Sequence, residues 1–244
     1  MNENTAIRRI PPCPAHDIEA MESWLMDMAR AGWMLEKDGY SCGMANFQKA
    51  EPQETLYRLV GFWKPPTTGQ LLGVSGSVQY PSDQPEEEAL ELNWLYGWAY
   101  VAKRGKYFIY RSVCENPREL DTDPLVQSMT IRAAAQWDRV RFLWGLIALL
   151  PLFLQPRSSY TFLQLLAAAP LFYISTLLFS GFLFAPALLG YLHGTALAKR
   201  LKENQPLDHH KNWREAAPFY RLRQVTTALA CLLYVVSAGY TLFG

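Results

Sequence analysis

The run from Ser159 to Ala198, SYTFLQLLAAAPLFYISTLLFSGFLFAPALLGYLHGTALA, contains no Asp, Glu, Lys or Arg in 40 residues. A helix in a soluble core keeps one face toward water and carries charge there. An uncharged run longer than about 18 residues reads instead as membrane-embedded chain. Two flanking runs, Phe142–Pro156 and the 21 residues Gln224–Gly244, are also free of charge. The net charge of +1 and the 50% hydrophobic content hide this pattern, because they average two unlike halves.

The charges between the runs set an orientation. Arg132, Arg139 and Arg141 precede the first run, and Arg157 alone follows it. Lys199, Arg200, Lys202, Lys211, Arg214, Arg221 and Arg223 fill the connection before the last run, against Glu203, Asp208 and Glu215. Cytoplasmic loops carry the Lys/Arg excess. The expectation is a multi-pass cell-membrane protein whose N-terminal part and basic connection are both cytoplasmic. The chain then crosses an odd number of times between Arg157 and Lys199. Forty helical residues span about 60 Å, twice a hydrocarbon core of about 30 Å. The expected spans are 140–156, 179–198 and 224–243. Residues 160–178 form an interfacial or re-entrant segment broken at Pro170, or a further span. Two short spans turning near Ser180-Gly181 are the alternative.

Residues 1–141 carry 15 basic and 19 acidic side chains, a net of −4. Residues 1–123 are long enough for one domain with its own core. Residues 124–141 form a linker helix and 142–244 the membrane region. Arg8 and Arg9 are followed by Pro11, Pro12 and Pro14, so an apolar leader is not expected at the start. Cys13, Cys42, Cys114 and Cys231 form no CxxC pair, which fits reduced thiols.

Within the domain, Asp17–Arg30 reads as an amphipathic helix. Asp17 is its N-cap, Ile18, Met21, Trp24, Leu25 and Met28 lie at helical spacing, and Gly32 is its stop. Glu19, Glu22, Asp27 and Arg30 fall between the apolar positions. Short aromatic segments Trp33–Glu36, Ser41–Gln48 and Thr55–Trp63 follow, separated by Asp38-Gly39 and Glu51-Pro52, as antiparallel strands. A second cycle has a helix at Pro85–Tyr96, with Glu86, Glu87 and Glu88 at its positive end. Strands follow at Ala99–Ala102 and Tyr107–Val113. Ala31-Gly32-Trp33 and Tyr96-Gly97-Trp98 occupy equivalent places in the two cycles. A duplicated α-β-β unit predicts an α+β two-layer domain, with two helices on one face of an antiparallel sheet. Lys64–Asp83 reads as a loop, within which Leu71–Tyr80 adds a strand.

Several pieces together resemble the DUF2812 family of bacterial, mostly Firmicute, membrane proteins. They are Glu22-Ser23-Trp24-Leu25, Met28-Ala29, Gly32-Trp33-Met34-Leu35, Phe47, Glu51-Pro52, Tyr57-Arg58, Gly97-Trp98, Tyr107-Phe108-Ile109-Tyr110 and Asp121-Thr122-Asp123. The resemblance covers about residues 8–125, and the stretch Leu71–Asp83 departs from it. It implies a regulatory or stress-sensing role, since such proteins are often encoded beside PadR-like transcriptional regulators. It supplies no catalytic residues.

The candidate sites each carry two readings. Trp33, Trp98, Tyr57 and Tyr110 form a ligand or partner surface, or the Trp residues pack under the sheet beside helix-capping glycines. Asp121-Thr122-Asp123 is a cation site or the cap of a helix entering at Pro124. His209-His210 with His16 is a metal site or a solvated loop, and no metal is expected. His193, near the inner end of a span, is a functional candidate. Gly190, Gly194 and Ala198 recur every four residues, and make either an oligomer seam or a contact with the chain's own helices. Trp213, Arg214, Arg221 and Arg223 belong to an amphipathic segment on anionic lipid, or to a solvated loop.

No nucleophile–base pair or phosphate loop is present in the sequence, and the runs lack charges for ion coupling. The expected function is therefore not enzymatic and needs no cofactor. It is a membrane-anchored sensory or regulatory protein whose cytoplasmic domain binds a protein or small ligand. The alternative is an oligomeric accessory or assembly subunit, with a channel further behind. The expected partners are the lipid bilayer, a second copy of the chain and a cytoplasmic regulatory protein, with no nucleic acid.

Overall fold

The computed structural model describes residues 6–41, 43–62, 84–120, 123–153 and 170–243. The expectations for Cys42, Lys64–Asp83, Asp121-Thr122 and residues 160–169 lie outside these residues. The described elements are β1 (Ala6–Arg9), α1 (Ile18–Arg30), β2 (Trp33–Ser41), β3 (Met44–Lys49), β4 (Tyr57–Gly61) and α2 (Glu87–Leu95). They continue with β5 (Trp98–Arg104), β6 (Tyr107–Ser112), α3 (Pro124–Phe153), α4 (Pro170–Lys202) and α5 (Trp213–Phe243).

The class is α+β, but the single expected sheet is two three-stranded antiparallel sheets, β1-β3-β2 and β4-β6-β5. β2 and β5 lie side by side without a ladder between them. Each carries an irregularity, between Leu35 and Tyr40 in β2 and between Tyr100 and Ala102 in β5. A bulge twists and interrupts a strand edge, so the two edges do not zip together. Asp38-Gly39 belongs to this bulge and is not the hairpin turn. Asp38 adopts φ 52°, and the reversal comes later, beside Gly43 at φ +79°.

The duplicated unit is also one strand longer than expected. β1 pairs with β3 and β4 with β6, so each unit is β-α-β-β. The two helix ends are equivalent. Gly32 (φ +80°) ends α1 and Gly97 (φ +88°) ends α2. Their carbonyls accept from Ala50 N and Val113 N, at 2.9 Å in both units. A left-handed backbone is what glycine tolerates and other residues resist.

The two helices differ in burial. Asp17 caps α1 as expected, accepting from Ala20 N (3.2 Å). Ile18, Met21, Trp24 and Leu25 enter a core with Leu35, Phe47, Tyr57 and Ile109. No residue of α2 is buried. The second unit keeps a smaller core of Trp98, Phe108, Tyr110 and Leu120.

The main core does not stop at the expected boundary near residue 123. Ile131 and Ala134 of α3, and Leu197, Ala198 and Leu201 of α4, belong to the same cluster as α1. The linker helix and the first uncharged run form one helix, α3, whose first amides are capped by Asp123 (Leu125 N to Oδ1, 2.8 Å). Among the described residues α4 runs as one helix from Pro170 to Lys202. Residues 170–178 are therefore continuous with the expected span at 179–198. α4 lies between α3 and α5. Ser175 and Ser237 share a hydroxyl–hydroxyl bond of 2.6 Å, and Phe179 stacks on Tyr234 at 5.0 Å.

Among the described residues one helix, α4, is long and apolar enough to cross a membrane, with a mean hydropathy of 1.8 over its best 18 residues. At about 1.5 Å per residue its 33 residues exceed a hydrocarbon core of about 30 Å. Its C-terminal part is the part held against the domain.

Candidate functional site

The site with the densest chemistry is the junction between α1 and the chain leaving α4. Asp17, Glu19, Glu22 and Asp27 share one short stretch of sequence. In isolation they make the polar face of an amphipathic helix, which is how the periodicity reads. The structure instead buries Glu19 and Glu22 to 1% exposure. What covers them is the basic connection between α4 and α5.

Glu19 accepts from Asp208 N (2.9 Å) and lies 3.4 Å from Arg200 and 3.7 Å from Lys211. Glu22 accepts from Leu59 N (2.7 Å) of β4 and from His209 Nδ1 (2.5 Å). Asp17, already the α1 cap, accepts from Lys211 Nζ at 2.8 Å. Asp27 accepts from Trp213 Nε1 (2.9 Å) and Arg214 Nη2 (3.0 Å). Buried carboxylates are costly unless paired and hydrogen-bonded. Here each oxygen-bearing group meets cations or amides from a segment about 190 residues away, so the two surfaces require each other.

A second charged contact supports the junction from α3. Lys106, in the β5–β6 turn, donates to Asp138 Oδ1 (2.6 Å) and to Ala134 O (2.7 Å). Burial lowers the Lys106 pKa from its ordinary value, and Asp138 opposes the shift. Asp138 also borders Gly190 of α4: a β-carbon there would sit 2.7 Å from Asp138 Oδ2. A β-carbon at Gly194 would sit 2.8 Å from Ala135 Cβ. The small-residue face of α4 is thus filled by the chain's own α3, with Ala198 in the shared core.

The histidines divide. His209 is bound to Glu22 rather than solvated, while His210 N donates to Asp208 in a turn (3.0 Å). His16 faces His193, with ring centroids 5.3 Å apart. Burial, then the neighbouring His193, lowers the His16 pKa to about 4. Among the described residues no three His, Cys, Asp or Glu side chains are grouped to hold a metal.

Neither a protein family, nor a curated protein, nor a solved structure matches this chain.

The expected aromatic surface does not assemble as one. Tyr57 and Trp98 are enclosed in different cores, Tyr110 shares the Trp98 cluster, and Trp33 packs at the edge of the main core. Trp98 donates to Arg118 O (2.7 Å) beneath the Arg58 guanidinium, itself paired with Glu119. Trp98 also floors an open cleft of about 600 Å³ between α2 and β5, with Leu90, Trp94 and Tyr100. Of the expected membrane-surface residues, Trp213 and Arg214 turn toward Asp27 on α1. Arg221 is exposed and Arg223 lies over the Tyr220 ring.

In the sequence, Asp17, His209, Trp213 and Arg214 read in other roles and are not joined with Glu19, Glu22 and Asp27 into one site. Its signal there is a charge balance: the first 141 residues net −4, and Lys199–Arg223 carries seven basic against three acidic residues.

Proposed function

We propose that the chain is a membrane-anchored regulatory protein in which a cytoplasmic α+β domain is latched to its membrane helices through α1. The observation that carries this reading is the contact of the buried carboxylates Glu19 and Glu22 with Arg200, Asp208 N and His209. A partner or ligand bound by the domain then changes the packing of α4 and α5, because these share its core and its charges.

Exposed aliphatic side chains support the membrane half of the reading. On α4 they include Leu171, Ile174 and Leu178; on α5, Val225, Leu229, Leu232 and Val236; on α3, Leu143 and Ile147. Exposed apolar faces this extended signal a lipid or protein environment. The multi-pass arrangement, with α3 and α5 crossing beside α4, belongs to the proposal, as does the resemblance to DUF2812. The accessory-subunit reading draws on the same exposed faces, but its small-residue seam is occupied by α3.

The test is a charge swap in the full-length protein in lipid nanodiscs. Lys211→Asp should increase amide exchange along α1 and at the start of α5, and Asp17→Lys with Lys211→Asp should restore part of the protection. Pull-downs from native membranes with the parent and with Lys211→Asp should retain a cytoplasmic partner unequally. Unchanged exchange together with equal recovery would overturn the reading.

A further inference from the structure

Arg104 closes β5 and is 3% exposed. Its Nη2 donates to the Cys13 carbonyl (2.6 Å), its Nη1 meets Met21 Sδ, and its guanidinium lies 5.3 Å from the Tyr40 ring centroid. Among the described residues it forms no ion pair. The two acidic side chains beside it do not supply a counter-charge at neutral pH. Burial pushes the Cys13 thiol up to about 11 and raises the Tyr40 phenol, so both stay protonated. A guanidinium always carries its charge, and a buried charge without a partner is expensive. Among the described residues the carboxylates of the junction have cationic partners, whereas Arg104 has neutral ones.

Arg104 also lines an open cleft of about 770 Å³ between the domain and the first turns of α5. This is within the range of small-molecule sites, about 300–1,000 Å³. Lys103 joins Arg104 on one wall, Tyr40 and Tyr100 give it ring faces, and Tyr220 and Gln224 of α5 close it. Asp38 is the acidic residue on its lining. A guanidinium beside phenol rings suits an anion carried on a flat or apolar body, because the charge is paired while the rings cover the rest.

We infer that this cleft binds a small carboxylate or phosphate monoester borne on an apolar or aromatic body, with Arg104 as its counter-ion and Tyr220 and Gln224 as its closure. The inference goes beyond the latch and does not depend on it, since the cleft uses none of the latch carboxylates. A ligand seated there touches the domain and α5 at once. The same chemistry belongs to a free metabolite and to an anionic lipid headgroup reached past Tyr220, and the test separates the two.

The full-length protein in phosphatidylcholine nanodiscs is titrated with phenyl phosphate, benzoate and inorganic phosphate at constant ionic strength, following its melting temperature. A parallel set of discs contains phosphatidic acid. A ligand that binds only the folded state should raise the melting temperature with the logarithm of its concentration. A rise with phenyl phosphate or benzoate assigns a soluble ligand; a rise in the phosphatidic acid discs alone assigns a headgroup. Arg104→Met should weaken the effect at least about tenfold, as expected for loss of a charge-assisted contact. Tyr220→Ala, on the exposed side of the cleft, should weaken the effect too and decides the matter if Arg104→Met does not fold. No rise with any probe, or the same rise in both variants, would overturn the inference.

Discussion

Glu22 shows how a single residue ties distant parts of the chain. It accepts from Leu59 N and from His209. Glu22→Ala leaves an amide and an imidazole without their acceptor, at a buried position. Breaking one partner of a buried pair costs about 3–5 kcal/mol. Denaturant unfolding of the detergent-solubilised protein should show a loss in that range, and a loss below about 1 kcal/mol would mean the site is wet.

His16 gives the pH dependence. It sits among His193, Asp17, Arg223 and Arg104, and its folded pKa of about 4 lies below its ordinary 6.5. The unfolded chain therefore binds a proton more readily between these values, and stability rises with pH in that window. The contribution is complete above about pH 6.5 and is lost as pH falls toward 4. Thermal melts of the parent should fall across this range, and His16→Gln should flatten the slope.

At the scale of elements, α4 and the two domain helices carry the consequences. Gly194 faces Ala135 closely enough that a larger side chain must separate α4 from α3. Overpacking of this kind costs about 1–3 kcal/mol or more. Gly194→Leu should lower the melting temperature of the protein without changing the mass at which it elutes in mild detergent. A fall in that mass with unchanged stability would return the glycine face to an oligomer seam.

The contrast between α1 and α2 is equally testable. Trp24 is buried against Phe47, with its ring edge-on at 5.4 Å, whereas Trp94 is 61% exposed and Leu95 79% exposed. Truncating a buried Trp costs about 3–5 kcal/mol, and an exposed side chain changes stability by about 0.5 kcal/mol or less. Trp24→Ala and Trp94→Ala, measured by the same unfolding assay, should differ accordingly. Equal losses would place α2 under cover that the described residues do not show.

For the whole molecule, the latch puts the domain and the α4–α5 connection on one side of α4, since Asp17 and Lys211 are in contact. Single-cysteine proteins in sealed membranes provide the readout. Cys114 is exposed on the domain and should react with a soluble maleimide once the membrane face that carries the domain is accessible. Cys13 is buried, and its thiol, raised to about 11, offers little thiolate to the reagent. Cys231 is exposed on α5 and is the informative position. Its labelling should be blocked in membranes if α5 crosses the bilayer, and free labelling in membranes would remove α5 from the spans.

Composition and periodicity alone determined the uncharged runs, the Asp17 cap and stop of α1, the duplication marked by Gly32-Trp33 and Gly97-Trp98, and the α+β class. These are local properties: the lack of charge along a run, capping geometry and the left-handed backbone at a helix end are set within a short stretch of chain. The pairing of β1 and β4 into their units, the division into two sheets, the burial of Glu19 and Glu22, and the docking of α4 on α3 were decided only by tertiary structure. Each depends on which distant surface arrives opposite. A carboxylate at helical spacing looks the same in sequence whether water or Arg200 faces it. A glycine every fourth residue marks a close helix contact without saying whose helix makes it.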